Sequence, residues 1–165
     1  LETAVAGIET IQSIVSQMKG LALAAKSDAD AVNRSKAAIQ FNDLRGQLDN
    51  LANDSSFRGT NLIKGGNNNL KVAFSEDGSS TLTVTGIASD SSGLSLAVAA
   101  GNFATDANID TAINDLDSAL TTLRSTASSL GTNAAVMSLR LDFTSNLINS
   151  LEGGAGKFRP PHFLF

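Results

Sequence analysis

Between residues 109 and 151, apolar side chains recur every fourth and then every third position. They are Ile109, Ile113, Leu116, Leu120, Leu123, Ala127, Leu130, Ala134, Met137, Leu141, Ile148 and Leu151, and only Thr144 interrupts them. A period of 3.5 residues keeps one stripe of a helix turned toward one partner, the pattern of a coiled-coil seam. No proline falls inside the stretch, and Gly131 is its only strong helix breaker. At 1.5 Å per residue the helix is roughly 65 Å long, more than an ordinary globule of this size is wide. The sequence therefore predicts an elongated molecule, with Leu120, Leu130 and Leu141 in its core. The seam has to be covered by another part of the chain or by another copy.

A covering partner is present upstream. Ala4, Ile8, Ile11, Val15, Met18, Ala22 and Ala25 form the same stripe in a first helix over residues 1–26. Gly7 and Gly20 lie inside it and each cost about 1 kcal/mol against Ala, so packing must support this helix. Ser27-Asp28-Ala29-Asp30 reads as a capping box, with Ser27 capping and Asp30 reaching back, or as a plain polar turn. Either way a second helix starts here and runs over residues 28–53, with Ala37, Phe41, Leu44, Leu48 and Leu51 as its stripe and Ile39 on the flank. The tight link makes it antiparallel to the first. Together the two helices offer two seams to the long one.

The character changes at Asp54. Turn residues dominate 55–61, and Gly65-Gly66-Asn67-Asn68-Asn69 is another turn. Residues 70–74 alternate weakly, Asp77-Gly78 is a hairpin signal, and Thr81-Leu82-Thr83-Val84-Thr85 alternates strictly. Residues 94–98 form a further short strand or an apolar plug. A helix restarts with Thr105 or Asp106 as its cap. The predicted fold class is mainly α: an elongated antiparallel bundle of long helices, two N-terminal and one C-terminal, with a small β-hairpin excursion. Its divisions are residues 1–53, 54–105, 106–152 and a tail, 153–165. The tail contains Pro160-Pro161 and reads as a cloning or fusion remnant, or as an apolar clip.

Composition narrows the function. Hydrophobic residues are 42% and aromatics 5%, all Phe, so the core is thin and aliphatic. Charged residues are only 17%, below the usual quarter, so long flanks can pack on neighbours without desolvating many ions. Net charge is −4 and no Lys or Arg has another beside it, which leaves no basic stripe for nucleic acid. Cysteine is absent, and no apolar run approaches the length of a membrane span. The single histidine, His162, sits in the proline tail without an orienting partner. Asp28 and Asp30, or Asp110, Asp115 and Asp117, lack the short oxygen-rich loop that calcium needs, and acids at helix starts already answer the macrodipole. Gly65-Gly66 is not followed by Lys-Ser/Thr, and no Gly-x-Ser-x-Gly elbow occurs. The sequence is read as a non-enzyme with no cofactor and no metal.

Three pieces in order suggest a family. They are Ile14-Val15-Ser16-Gln17-Met18-Lys19-Gly20-Leu21-Ala22-Leu23-Ala24, the run from 42 to 53, and Ser56-Phe57-Arg58-Gly59-Thr60-Asn61-Leu62-Ile63. They resemble the N-terminal core segment of bacterial flagellins, the last being similar to that family's Phe-Asn-Gly turn with Arg58 in place of Asn. Residues 108–152 resemble the C-terminal core helix, with Leu123-Arg124-Ser125 and Leu130-Gly131 as markers. The chain looks like the core domain of a small flagellin trimmed at both ends.

The resemblance implies a self-assembling subunit of an extracellular flagellar filament, exported without a cleaved signal peptide and serving motility. A hook–filament junction or other hook-associated protein is the alternative, and a surface adhesin or binding module the next. It implies helical homo-oligomers in the full-length protein, an export chaperone and a cap engaged through the missing termini, and neither nucleic acid nor membrane as partner. The family's patch for an animal toll-like innate receptor falls on Gln17, Leu21 and Gln40. Recognised members carry Arg and Glu where this chain has the two glutamines, so weak or no receptor binding is implied. The Ser/Thr-rich stretch 75–95 is expected to face solvent, with O-glycosylation on Ser79, Ser80, Thr81 or Ser91.

Overall fold

The computed structural model describes residues 1–56, 60–65 and 68–157, the last four by backbone alone. Three helices carry it: α1 (Glu2–Ser27), α2 (Ala31–Asp54) and α3 (Asp106–Lys157), with strands β1 (Leu70–Ala73) and β2 (Thr81–Val84) between the second and third. The readings of Phe57-Arg58-Gly59 and of residues 158–165 fall outside the described residues.

All seven stripe residues of α1 are buried. Their partner is α3, which runs antiparallel to α1. Lys19 Nζ meets Asp117 Oδ1 at 2.6 Å and Lys26 Nζ meets Asp110 Oδ1 at 2.5 Å, two pairs that fix one register. Along it Ile109, Leu116, Leu123 and Leu130 are fully buried, with Ala119 between them. The register also sets a limit. Continued, it brings Leu1 level with residue 135, beyond which α1 no longer covers α3. Leu141 is accordingly 49% exposed and Leu151 65%, although both keep the 4-3 spacing. The expectation that Leu141 is core is corrected: periodicity names the apolar face, but only an opposing helix buries it. Leu120 is half-buried on the flank of the seam.

α2 does not supply a second seam to α3; it packs on α1 and on the segment that leads into α3. Its buried line is Arg34, Ala38, Phe41, Leu48 and Ala52, while Ala37, Leu44 and Leu51 are half-buried and Ile39 is 58% exposed. The helix starts later than a Ser27 cap predicts. Asp30 is the N-cap, its Oδ1 accepting from Val32 N at 2.9 Å and Asn33 N at 3.0 Å. Ser27 Oγ instead donates back to Leu23 O in α1. At the far end Asn61 Nδ2 donates to Ala52 O at 2.6 Å and to Asn53 O, closing the orphan carbonyls of α2. This loop presses on α1 where α1 has no side chain. A Cβ on Gly7 would lie 2.8 Å from Ile63 Cδ1 and 2.9 Å from Ser55 Oγ.

The segment before α3 is not a strand. Leu94, Leu96 and Ala99 are buried as a plug, and its backbone is held by α2 side chains. Asp49 Oδ1 accepts from Ser91 N at 2.7 Å, Arg45 Nε donates to Leu96 O at 2.8 Å, and Asn42 Oδ1 accepts from Ala99 N at 2.8 Å. Gly101, Asn102 and Phe103 then occupy the left-handed region in succession, at φ 53°, 52° and 59°. For Asn and above all Phe that conformation is strained. It is held by Phe103, fully buried and edge-on to Phe41 with ring centroids 5.2 Å apart.

α3 passes residue 152, the expected boundary of the long helix, and continues to Lys157. Glycine disfavours a helix without forbidding it; the first residue that forbids continuation is Pro160.

These burials predict a split along one helix. Leu116→Ala or Leu123→Ala should cost about 2–5 kcal/mol by urea unfolding. Leu141→Ala should cost under about 1 kcal/mol. Equal losses at Leu123 and Leu141 would show that the far half of the seam is covered.

Candidate assembly surface

No group of three or more His, Cys, Asp or Glu that could hold a metal occurs among the described residues. No buried side-chain polar atom among them lacks a hydrogen-bond partner. What the fold does present is surface. Along the half of α3 beyond α1, Val136, Leu139, Leu141, Phe143, Leu147, Ile148 and Leu151 are all exposed. Single exposed apolar residues are ordinary, but a contiguous apolar face of this length marks a contact site. Arg140, Asp142 and Glu152 are the only charges between residues 131 and 153, so little ionic desolvation opposes its burial.

The hairpin lies across this half of the rod. β1 and β2 pair antiparallel, Leu70 opposite Val84 and Ala73 opposite Thr81. At the base, Val84 is buried and Leu70 and Leu82 pack on the core. At the tip, the Arg140 guanidinium stacks on the Phe74 ring at 4.1 Å and donates to Thr81 O and Ser80 Oγ. Asp77 Oδ1 accepts from Ser79 N at 3.0 Å, and Gly78 takes φ 72°, which closes the turn. The bond from the Ser79 backbone, then those from the Ser79 and Ser75 hydroxyls, holds the Asp77 carboxyl at about 2.

The opposite end of the bundle is organised by a residue the sequence reading missed. Arg34 is buried, and its Nε donates to Ala25 O at 3.0 Å and Asp28 O at 2.7 Å. Its Nη2 reaches Asp106 Oδ1 at 2.7 Å and its Nη1 reaches Ala104 O at 3.3 Å. Nearby, the Asp30 amide and then the Asn33 side chain, both donating to Asp28, lower its carboxyl pKa. The hydrogen bond to Asp110 and then its charge raise that of Lys26.

The residues singled out from sequence separate into two places. Leu21 and Gln40 line one shallow groove between α1 and α2, together with Ala24, Asp28, Lys36 and Ala37. Gln17 is exposed one helical turn before Leu21 and does not line that groove. Ser79 is exposed at the hairpin tip, and Ser80 and Thr81 are half-buried beneath Arg140. Ser91 differs from these. It is 4% exposed and its hydroxyl donates to Asp49 Oδ2 at 2.8 Å, so it does not offer a free acceptor for a glycan. The solvent-facing stretch is shorter than 75–95, because Ser89, Ser91 and Leu94 are buried, Ser91 against Asp49 of α2. A polar composition could not reveal this; the complementary spacing of Asn42, Arg45 and Asp49 on α2 was the available signal.

The Asp77 turn has a definite pH dependence. Its folded pKa lies below the unfolded value of 3.8, so the stabilisation is present above about pH 4 and fades as pH falls toward 2. A carboxyl NMR titration should give a midpoint of about 2 for Asp77 in the folded chain. An ordinary carboxylate midpoint would show that the Ser75 and Ser79 contacts do not persist in solution.

A profile of the bacterial flagellin N-terminal helical region matches residues 1–68. The chain is 34% identical over 158 residues to flagellin FljM of Caulobacter vibrioides and 33% identical over 158 residues to flagellin FljO of the same organism. Each alignment covers 94% of this chain and 57% of the relative, so the chain spans little more than half the length of the curated relatives it matches. The crystal structure of Bacillus cereus flagellin superimposes with a TM-score of 0.68 over 88% of this chain and 82% of that one. At 19% identity this speaks to the fold alone. On the profile match and these identities, the chain belongs to the bacterial flagellin family.

Proposed function

We propose that this chain is the rod-shaped core of a self-assembling structural subunit of an extracellular bacterial flagellar filament, serving motility. The observation that carries the reading is the row of exposed apolar side chains of α3 between residues 136 and 151, on a chain of low charge with no metal-binding cluster among its described residues. Assembly buries such a face, and a structural role accounts for it without a catalytic centre. Export chaperone and filament cap would engage parts of the parent protein beyond this chain. A glycan on this domain belongs at the exposed Ser79 rather than at Ser91.

The test is made in the full-length parent. Ile148→Lys with Leu151→Lys should abolish filaments seen by electron microscopy, while Ser128→Lys on the same helix leaves them intact. Normal filaments from the double variant would remove the face from the assembly mechanism.

We further propose that innate receptor binding is weak because Gln17 and Gln40 stand where recognised relatives carry charges. Leu21 keeps an apolar anchor beside Gln40. A receptor charge buried against an uncharged amide loses its partner. In a titration against the receptor ectodomain, Gln17→Arg with Gln40→Glu should bind at least tenfold more tightly than the unaltered chain, about 1.4 kcal/mol. Nanomolar binding by the unaltered chain, or no gain in the double variant, would refute the assignment.

A further inference from the structure

The hairpin is attached at its two ends by different means. Its base is in the core: Val84 is buried, Leu70 and Leu82 pack on it, and Ile87 N donates to Leu62 O at 2.7 Å just beyond. Its tip lies over a groove of about 360 Å³ walled by Phe74, Leu139, Phe143, Thr144 and Leu147. A two-stranded sheet of four-residue strands has little stability of its own. Among the described residues, the hydrogen bonds from α3 to the tip all come from one side chain. The Arg140 guanidinium stacks on Phe74 and donates to Thr81 O and Ser80 Oγ. It forms no ion pair with any acid among the described residues.

We propose that residues 74–80 form a flap, hinged at the Leu70–Val84 pair and latched to α3 by Arg140. The space beneath the tip means that moving it breaks few packed contacts, so the latch sets its position. A close-packed tip would be held by many small contacts instead, and losing one side chain would matter less. Arg140 is thus a positioning residue for the hairpin, independent of whether the rod is assembled.

Residue-resolved hydrogen exchange at neutral pH tests this on the intact chain. The tip amides are those of Phe74, bonded to Ser80 O, and of Ser80, bonded to Ser75 Oγ; both bonds lie inside the tip and report its fraying, which so short a two-stranded sheet resists little once it is unpinned. In Arg140→Ala they should exchange at least about tenfold faster, as expected for losing a stacked cation and its two hydrogen bonds. The base amides of Ile87 and Ser89, which donate to Leu62 O and Ile63 O, should keep their protection. Arg140→Lys keeps a cation over Phe74 without the planar two-pronged donor and should fall between. Unchanged tip exchange in Arg140→Ala would overturn the latch. Equal acceleration at tip and base would overturn the hinge, since the hairpin would then loosen as one piece.

Discussion

Everything in this fold depends on how three helix ends are joined around Arg34. One guanidinium reaches carbonyls in the last turn of α1, the turn before α2, Ala104 two residues ahead of α3 and the first carboxylate of α3. Burying a guanidinium opposes folding by several kcal/mol unless its donors are met. Here they are met by the negative end of the α1 dipole and by Asp106. The contact does more than stabilise. It fixes where α2 departs from α1 and where α3 begins, and so which residue of α3 faces which residue of α1. Lys26–Asp110 and Lys19–Asp117 lie further along the register thus set. Those two pairs are exposed and weak by themselves, so the register rests on the joint and on the apolar seam rather than on them.

The seam was readable because a coiled-coil period is a property of a single helix. Residues 109–130 and the α1 stripe announce the same spacing, and each covers the other. What the spacing could not reveal is where coverage stops. Leu130 and Leu151 hold the same heptad position and are opposite in the structure, because α1 lies beside one and not the other. The stripe of α2 misled for a related reason. Its residues were read as facing α3, but the helix packs on α1 and on a plug of irregular backbone, which shifts burial toward Ala38 and Ala52 and leaves Ile39 outside.

Polar contacts between distant segments were the least legible. Ser91 looked like any other serine in a polar run, and only Asp49 distinguishes it from Ser79. Asp30 rather than Ser27 caps α2 because the chain needs extended residues to turn between antiparallel helices before the first amides point at a cap. Of the residues implied by the family, Leu21 and Gln40 converge on one groove although they lie on different helices, with Gln17 a turn away. Sequence supplied their identity; the α1–α2 pairing supplied their proximity.

The polar ladder of Asn42, Arg45 and Asp49 has a consequence for how this molecule tolerates variation. The path of residues 91–99 is encoded in the helix beneath them, since their backbone is what those side chains grip. Outward-facing positions such as Ala97 and Val98 are therefore open to replacement with the loop's course unchanged. Chain length is not open in the same way. One residue inserted between Ser91 and Leu96 slides the carbonyl that Arg45 holds away from its donor, while the spacing on α2 stays fixed by helical geometry. Diversification of this loop is thus constrained in length and permissive in chemistry.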